Sequence, residues 1–173
     1  NFTEYRGDKL KLARMAVGLS CEELAEKIGK TKQFVSKLEK GCRPSEQCLE
    51  LISSALMIKS SFLFTERKYA LESDVCHFRS KKSRTQTLTN SVLARAEILN
   101  IIISAVEGEI EFPDVNIPEH PGAELLTPND IERVAEDCRR AWNLGLGPIS
   151  SMVKLAESLG VIVAHVTGVD DRV

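Results

Sequence analysis

The sequence predicts a mainly α protein. A five-helix domain occupies residues 1–65, a basic linker with a short strand spans 66–84, and a smaller helical or α+β domain with a long helix and at least one strand fills 85–173. Three observations predict it. Apolar residues recur at steps of three and four through most of the chain. Helix start and stop residues punctuate the first 65 positions at short intervals. One β-branched apolar run, Val161-Ile162-Val163-Ala164, breaks the helical pattern near the end and reads as a buried strand.

From Arg6 to Val17, Leu10, Ala13 and Val17 recur at helical spacing, with Leu12 and Ala16 widening the stripe and Gly18 ending it. Ser20 followed by Glu23 is a capping box, in which hydroxyl and carboxylate each satisfy an orphan backbone N–H. A second helix therefore runs from Cys21 to Ile28, and Gly29 closes it. A third runs from Thr31, its N-cap, to about Lys40, with Gly41 as its stop. Pro44 and Ser45 open a fourth that carries Leu49, Ile52 and Leu56 on one face. A turn around Ser60 to Phe64 completes the unit.

Residues 65–84 turn polar and basic, with Val75-Cys76-His77-Phe78 as the short strand. From about Thr85 to Glu107 a long helix is expected, because Leu88, Val92, Ala96, Leu99, Ile103 and Val106 recur at three- and four-residue steps. That helix reads equally as a core helix of the second domain or as a dimer interface. Gly108, Pro113, Pro118, Pro121 and Gly122 mark an extended loop. Thr127-Pro128 is an N-cap with proline at the first helical position, opening a helix to about Trp142, and Ser150 or Ser151 starts another through Leu159, stopped by Gly160.

With 43% apolar residues the chain is not disordered. No run reaches the roughly eighteen consecutive apolar residues of a membrane span, and no charged-then-apolar leader opens it, so a cytoplasmic protein without a membrane partner is expected. Five cysteines form no C-x-x-C pair and their odd number cannot be fully paired, which fits reduced thiols. His77, His120 and His165 are far apart and none belongs to an H-E-x-x-H, so no catalytic residue, metal or cofactor is expected.

The net charge of −2 conceals an asymmetry: residues 1–84 hold 17 Lys+Arg against 11 Asp+Glu, and residues 85–173 hold 6 against 14. Between Lys27 and Arg43, six cations face Glu39 alone. A polyanion would dock there. The spacing within residues 20–41 says how. Ala25 sits where two helices touch, Gly29 supplies a positive φ in the turn, and Leu24, Ile28, Val35 and Leu38 fill the wedge between them, which is a helix-turn-helix. In that arrangement the third helix enters the major groove of double-stranded DNA by its N-terminal end. Lys32, Gln33 and Ser36 are the base-reading candidates. Thr31, Lys37, Lys40 and Arg43 hold phosphates, Lys30 adds charge beside them, and the helix start at Cys21 presents N–H groups to the backbone.

The stretches Leu10-Lys-Leu-Ala-Arg14, Gly18-Leu-Ser20, Glu23-Leu-Ala-Glu-Lys-Ile-Gly29 and Val35-Ser-Lys-Leu-Glu-Lys-Gly41 resemble the XRE group of lambda-repressor and Cro-like domains over about residues 5–64. The resemblance implies a lambda-repressor-like fold and a sequence-specific transcriptional regulator, as a repressor or antitoxin-like autoregulator. Two-fold operators pair with two-fold proteins, so a homodimer is expected. The second half resembles the region that precedes the catalytic helix of ImmA/IrrE-type zinc metallopeptidases, at Phe78-Arg-Ser80, Ala94-Arg-Ala-Glu97, Ala141-Trp-Asn-Leu-Gly-Leu-Gly-Pro-Ile149 and Leu155-Ala-Glu-Ser-Leu-Gly-Val161. The residues to Val173 contain no H-E-x-x-H, so a non-enzymatic chain is expected. The alternatives are the N-terminal portion of a zinc peptidase that acts on another regulator, or a module that binds a protein partner such as a toxin or a peptidase substrate.

Overall fold

A computed structural model describes residues 4–68, 70, 71, 76, 85–119 and 127–166. Among them lie seven α-helices and one 3₁₀ helix. They fall into two compact units, the first made of the described residues up to Val106 together with Val166, and the second running from Glu107 to His165.

In the first unit the local signals set the helix ends. Helix α1 is Gly7–Val17, and Gly18 ends it at φ 82°. Helix α2, Cys21–Lys27, opens on a formed capping box: Glu23 N–H donates to the Ser20 hydroxyl at 3.1 Å, and Ser20 N–H donates to the Glu23 carboxylate at 2.7 Å. Helix α3 is Lys32–Glu39, with Phe34 N–H donating to the Thr31 hydroxyl oxygen at 3.2 Å. Ser45 caps α4, Glu46–Leu56, in the same manner, and the 3₁₀ helix Ser60–Phe64 follows. Their inner faces close one core of Leu10, Leu24, Val35, Leu38, Ile52 and Leu63, each at most 1% exposed. Burying each such side chain contributes roughly 1.5–3 kcal/mol.

At Gly7 the start of α1 abuts the end of α3. A β-carbon there would lie 2.4 Å from the Leu38 carbonyl oxygen and 2.5 Å from that of Glu39, so the two helices approach to backbone contact.

Helix α5, Gln86–Val106, packs on α1. The sequence reading assigned it to the second domain; the structure joins it to the first unit and divides the chain after Val106. The reason is side-chain chemistry that periodicity does not reveal. Its inner face is small and polar, with Ser91, Ala94 and Glu97 buried. Arg67 donates to the Glu97 carboxylate through Nε at 2.5 Å and Nη2 at 2.6 Å, and Arg95 Nε donates to the Ala16 carbonyl at 2.8 Å. Lys9, 1% exposed, places its ammonium 4.0 Å from the Phe62 ring centroid beside this contact. By length and composition α5 could cross a membrane. Its docked face and the ionisable Arg95 and Glu97 within it suit packing against protein.

In the second unit, α6 is Pro128–Ala141 and α7 is Met152–Ser158. The Thr127–Asp130 capping box and Pro128 open α6, and Ser151 caps α7. The loop before α6 is held by Asn116 N–H donating to the Leu159 carbonyl and by Trp142 Nε1 donating to the Asn116 carbonyl, both at 3.0 Å. Leu159 is the one buried residue among the described residues of this unit.

Here the expectation of an α+β domain is corrected. Val161-Ile162-Val163-Ala164 forms no strand, no strand occurs among the described residues, and Ile162 and Val163 are 47% and 44% exposed. A β-branched run makes a strand only when a second run supplies the other half of the hydrogen-bond ladder, and none does so among the described residues. Of the strand expected at Val75-Cys76-His77-Phe78, all but Cys76 lies outside the described residues.

Candidate nucleic-acid interface

The interface is built on the turn between α2 and α3. Gly29 takes φ 64°, and Lys30 N–H donates to the Ala25 carbonyl at 2.9 Å, so the chain reverses within three residues. Ala25, Ile28, Val35 and Leu38 are all buried beneath this turn, as the spacing predicts. With Val35 and Leu38 turned inward, 3.6-residue periodicity turns the opposite face of α3 outward.

That outer face carries the residues assigned to bases. Lys32 and Gln33 are exposed and Ser36 is half-buried; they share one side of α3 with Lys40, and Lys37 stands at its edge. The ammonium of Lys32 lies 3.4 Å from a carboxylate oxygen of Glu22 across the turn. Both side chains are largely solvated, so the pair is weak and a phosphate or base acceptor readily replaces Glu22. Thr31 uses its hydroxyl oxygen as the cap of α3, leaving the hydroxyl proton to donate outward.

The remaining cations are spread along the same edge. Lys30 sits 5.8 Å from the Phe34 ring centroid, at the entrance to α3. Arg43 lies beyond the other end of α3, 5.8 Å from the Phe64 ring centroid. In both contacts the charged group itself faces the ring, while both residues remain exposed.

Cys21 is placed differently. Its thiol turns inward, 3.6 Å from a Glu39 oxygen, and burial together with the Glu39 charge pushes its pKa up. Only its backbone is available to a phosphate, on a first turn that also carries Glu22 and Glu23.

One determinant of the site escaped the sequence reading. Glu39, the lone acid of the basic run, is an anchor: Arg14 Nε donates to its Oε1 at 2.5 Å and Nη2 to its Oε2 at 3.2 Å. The two side chains are 9% and 11% exposed, and Arg14 Nη1 also donates to the Leu19 carbonyl at 2.6 Å. This bidentate pair ties α1 to the C-terminal end of α3. The available signal was an acid isolated among six cations, with an arginine next to Ala13 in the apolar stripe of α1.

Residues 10–63 match the helix-turn-helix family model. These residues are a helix-turn-helix domain of the XRE type. The helix-turn-helix gives the chain the DNA-binding character of a transcription regulator, with double-stranded DNA as its ligand. No curated protein and no solved structure matches the chain. The family match ends at residue 63, and the resemblance of the second half to ImmA/IrrE-type peptidases finds no support. Among the described residues, no cluster of His, Cys, Asp and Glu could hold a metal ion.

Proposed function

We propose that the protein is a sequence-specific repressor or antitoxin-like autoregulator that lays α3 of its helix-turn-helix in the major groove and binds as a homodimer. The observation that carries this reading is the outer face of α3, where Lys32, Gln33 and Ser36 stand together on a helix whose other face is locked into the core. Gln33 can bond an adenine bidentately and Lys32 can reach guanine acceptors, each good pair giving about 1–3 kcal/mol of discrimination. Lys30, Thr31, Lys37, Lys40 and Arg43 border that face and engage phosphates.

The charge asymmetry supports the same orientation. The positive half meets the duplex, and the negative half is repelled from it. Affinity should therefore fall steeply with salt, with a log–log slope of about −0.9 for each phosphate engaged.

The experiment is a titration of the full chain against duplex from its own promoter region over a range of salt concentrations. Replacing Lys32 and Gln33 together with alanine is expected to remove the preference for that duplex over random sequence while leaving weak, salt-dependent binding. Unchanged preference in the double variant would reject the groove assignment.

A further inference from the structure

Between α1 and α5 the first unit forms a cavity of about 140 Å³ whose polar wall carries Lys11, Arg67, Asn90 and Glu97. Met15 and Leu93 stand on its apolar wall. The polar groups are committed only in part. Arg67 uses Nε and Nη2 on the Glu97 carboxylate, and its Nη1 donates to no group among the described residues. The Asn90 amide oxygen accepts from Gln86 Nε2 at 3.0 Å, and none of the described residues receives a bond from its NH₂ group. Lys11 is exposed and forms no ion pair among the described residues.

Charge decides what such a wall accepts. Glu97, 2% exposed, is the one acid lining the cavity among the described residues, against Arg67 and Lys11. A third cation, Lys9, is 1% exposed and lies within electrostatic reach of the same carboxylate. Asp8, the other acid within reach of Lys9, accepts two bonds from Arg6, both at 3.0 Å. Cations therefore exceed acids at this contact, and a buried excess of charge is relieved by a counter-ion. We propose that the cavity binds a small aliphatic carboxylate, with its anionic end on Arg67 Nη1, Lys11 and the Asn90 amide and its chain against Met15 and Leu93. The assignment goes beyond the DNA-reading role and stands independently of it.

Three features select that class. A planar carboxylate matches the in-plane donors that a guanidinium presents. The volume lies well below the roughly 300–1,000 Å³ of sites for drug-sized ligands, which limits the chain to about two to five carbons. The thioether of Met15 and the branched side chain of Leu93 favour methylene groups over the hydration shell that an inorganic anion keeps. Bound there, the ligand touches α1, α5 and the segment that carries Arg67 together, and so stabilises the docking of α5 on α1.

The test uses the full chain, isotope-labelled at its methionine methyl groups and titrated with sodium butyrate at constant ionic strength while its NMR spectrum is followed. Met15 lines the cavity, and Met57 and Met152, 86% and 61% exposed, serve as internal references. The Met15 signal should move saturably with a Kd on the order of 1 mM while the references stay in place. Butyramide and butylamine keep the chain and lack the anion, so each should produce less than about a tenth of that shift at equal concentration. Lys11→Gln, a change at the surface, should weaken butyrate about threefold, and Leu93→Phe, which fills the cavity, should abolish the Met15 response. If Leu93→Phe loses helical circular dichroism, the Lys11→Gln titration decides alone. A Met15 signal unmoved at roughly fifty times the expected Kd, equal movement of all three methyls, an equal response to butyramide, or unchanged butyrate affinity in Lys11→Gln overturns the inference.

Discussion

Helices α2 and α6 begin alike and lie in different surroundings. Each opens on a complete capping box, Ser20 with Glu23 and Thr127 with Asp130, and α6 adds Pro128 at its first position. The shorter helix, of seven residues, buries Leu24 and Ala25; the longer, of fourteen, buries none. Helix α6 also leaves Ile131 56% exposed, while α7 leaves Met152 at 61%. The difference teaches that caps and cores do separate jobs. A cap contributes about 1 kcal/mol and fixes where a helix starts, whereas a buried aliphatic side chain contributes roughly 1.5–3 kcal/mol and fixes what the helix holds on to.

Ion pairs should separate the two units most widely. Glu39→Ala strands the Arg14 guanidinium inside the first unit and should cost about 3–5 kcal/mol, read from urea unfolding by circular dichroism. Asp137→Ala removes the partner of Arg140 on the exposed face of α6 and should stay within about 0.5 kcal/mol. Equal losses would break the distinction. A cost of about 1–3 kcal/mol is expected for Gly7→Ala, whose added methyl meets the Leu38 and Glu39 carbonyls. Because that clash pushes on the end of α3, its DNA affinity should fall in a filter-binding assay while Asp137→Ala binds as the parent does.

A smaller effect, of opposite sign, is expected at Lys9. Burial holds its amine below the ordinary value of 10.5, so the folded state disfavours the charged form. The wild type then gains stability as pH rises through the depressed value toward 10.5 and bears the full cost below that window. Lys9→Met should therefore stabilise the first unit by about 1 kcal/mol at neutral pH, and the advantage should shrink as pH approaches 10.5. A destabilised variant, or a pH-independent difference, would show that the contact with Phe62 outweighs the burial cost.

The smallest change is Ile131→Ala, expected within about 0.5 kcal/mol. Trp142 is the only tryptophan and lies in the second unit, so its fluorescence follows that unit alone. In the parent chain its transition should come at lower urea than the circular-dichroism transition dominated by the first unit. Coincident transitions would show that the two units unfold together.

Much of the interface was legible because its signals act over three or four residues. The Ser20–Glu23 capping box, the turn at Gly29 and the outward set Lys32, Gln33 and Ser36 follow from backbone hydrogen bonding and helical period alone. Lys32 contacting Glu22, and Cys21 turning its thiol toward Glu39, were not legible. Both depend on how α2 crosses α3. The run Val161-Ile162-Val163-Ala164 shows the reverse error, since its β-branched pattern was real and no partner strand lies among the described residues.

The sequence by itself determined where the helices begin and end, the sharp turn between α2 and α3, and which side of α3 is polar, since each depends on residues within one helical turn of one another. Tertiary structure alone decided that Glu39 belongs to Arg14, 25 residues away, and that α5 belongs to α1 through a contact spanning 79 residues. The physical reason is that a helix pattern records how much apolar surface must be covered, while the choice of what covers it is made by faces that meet only after the chain has folded.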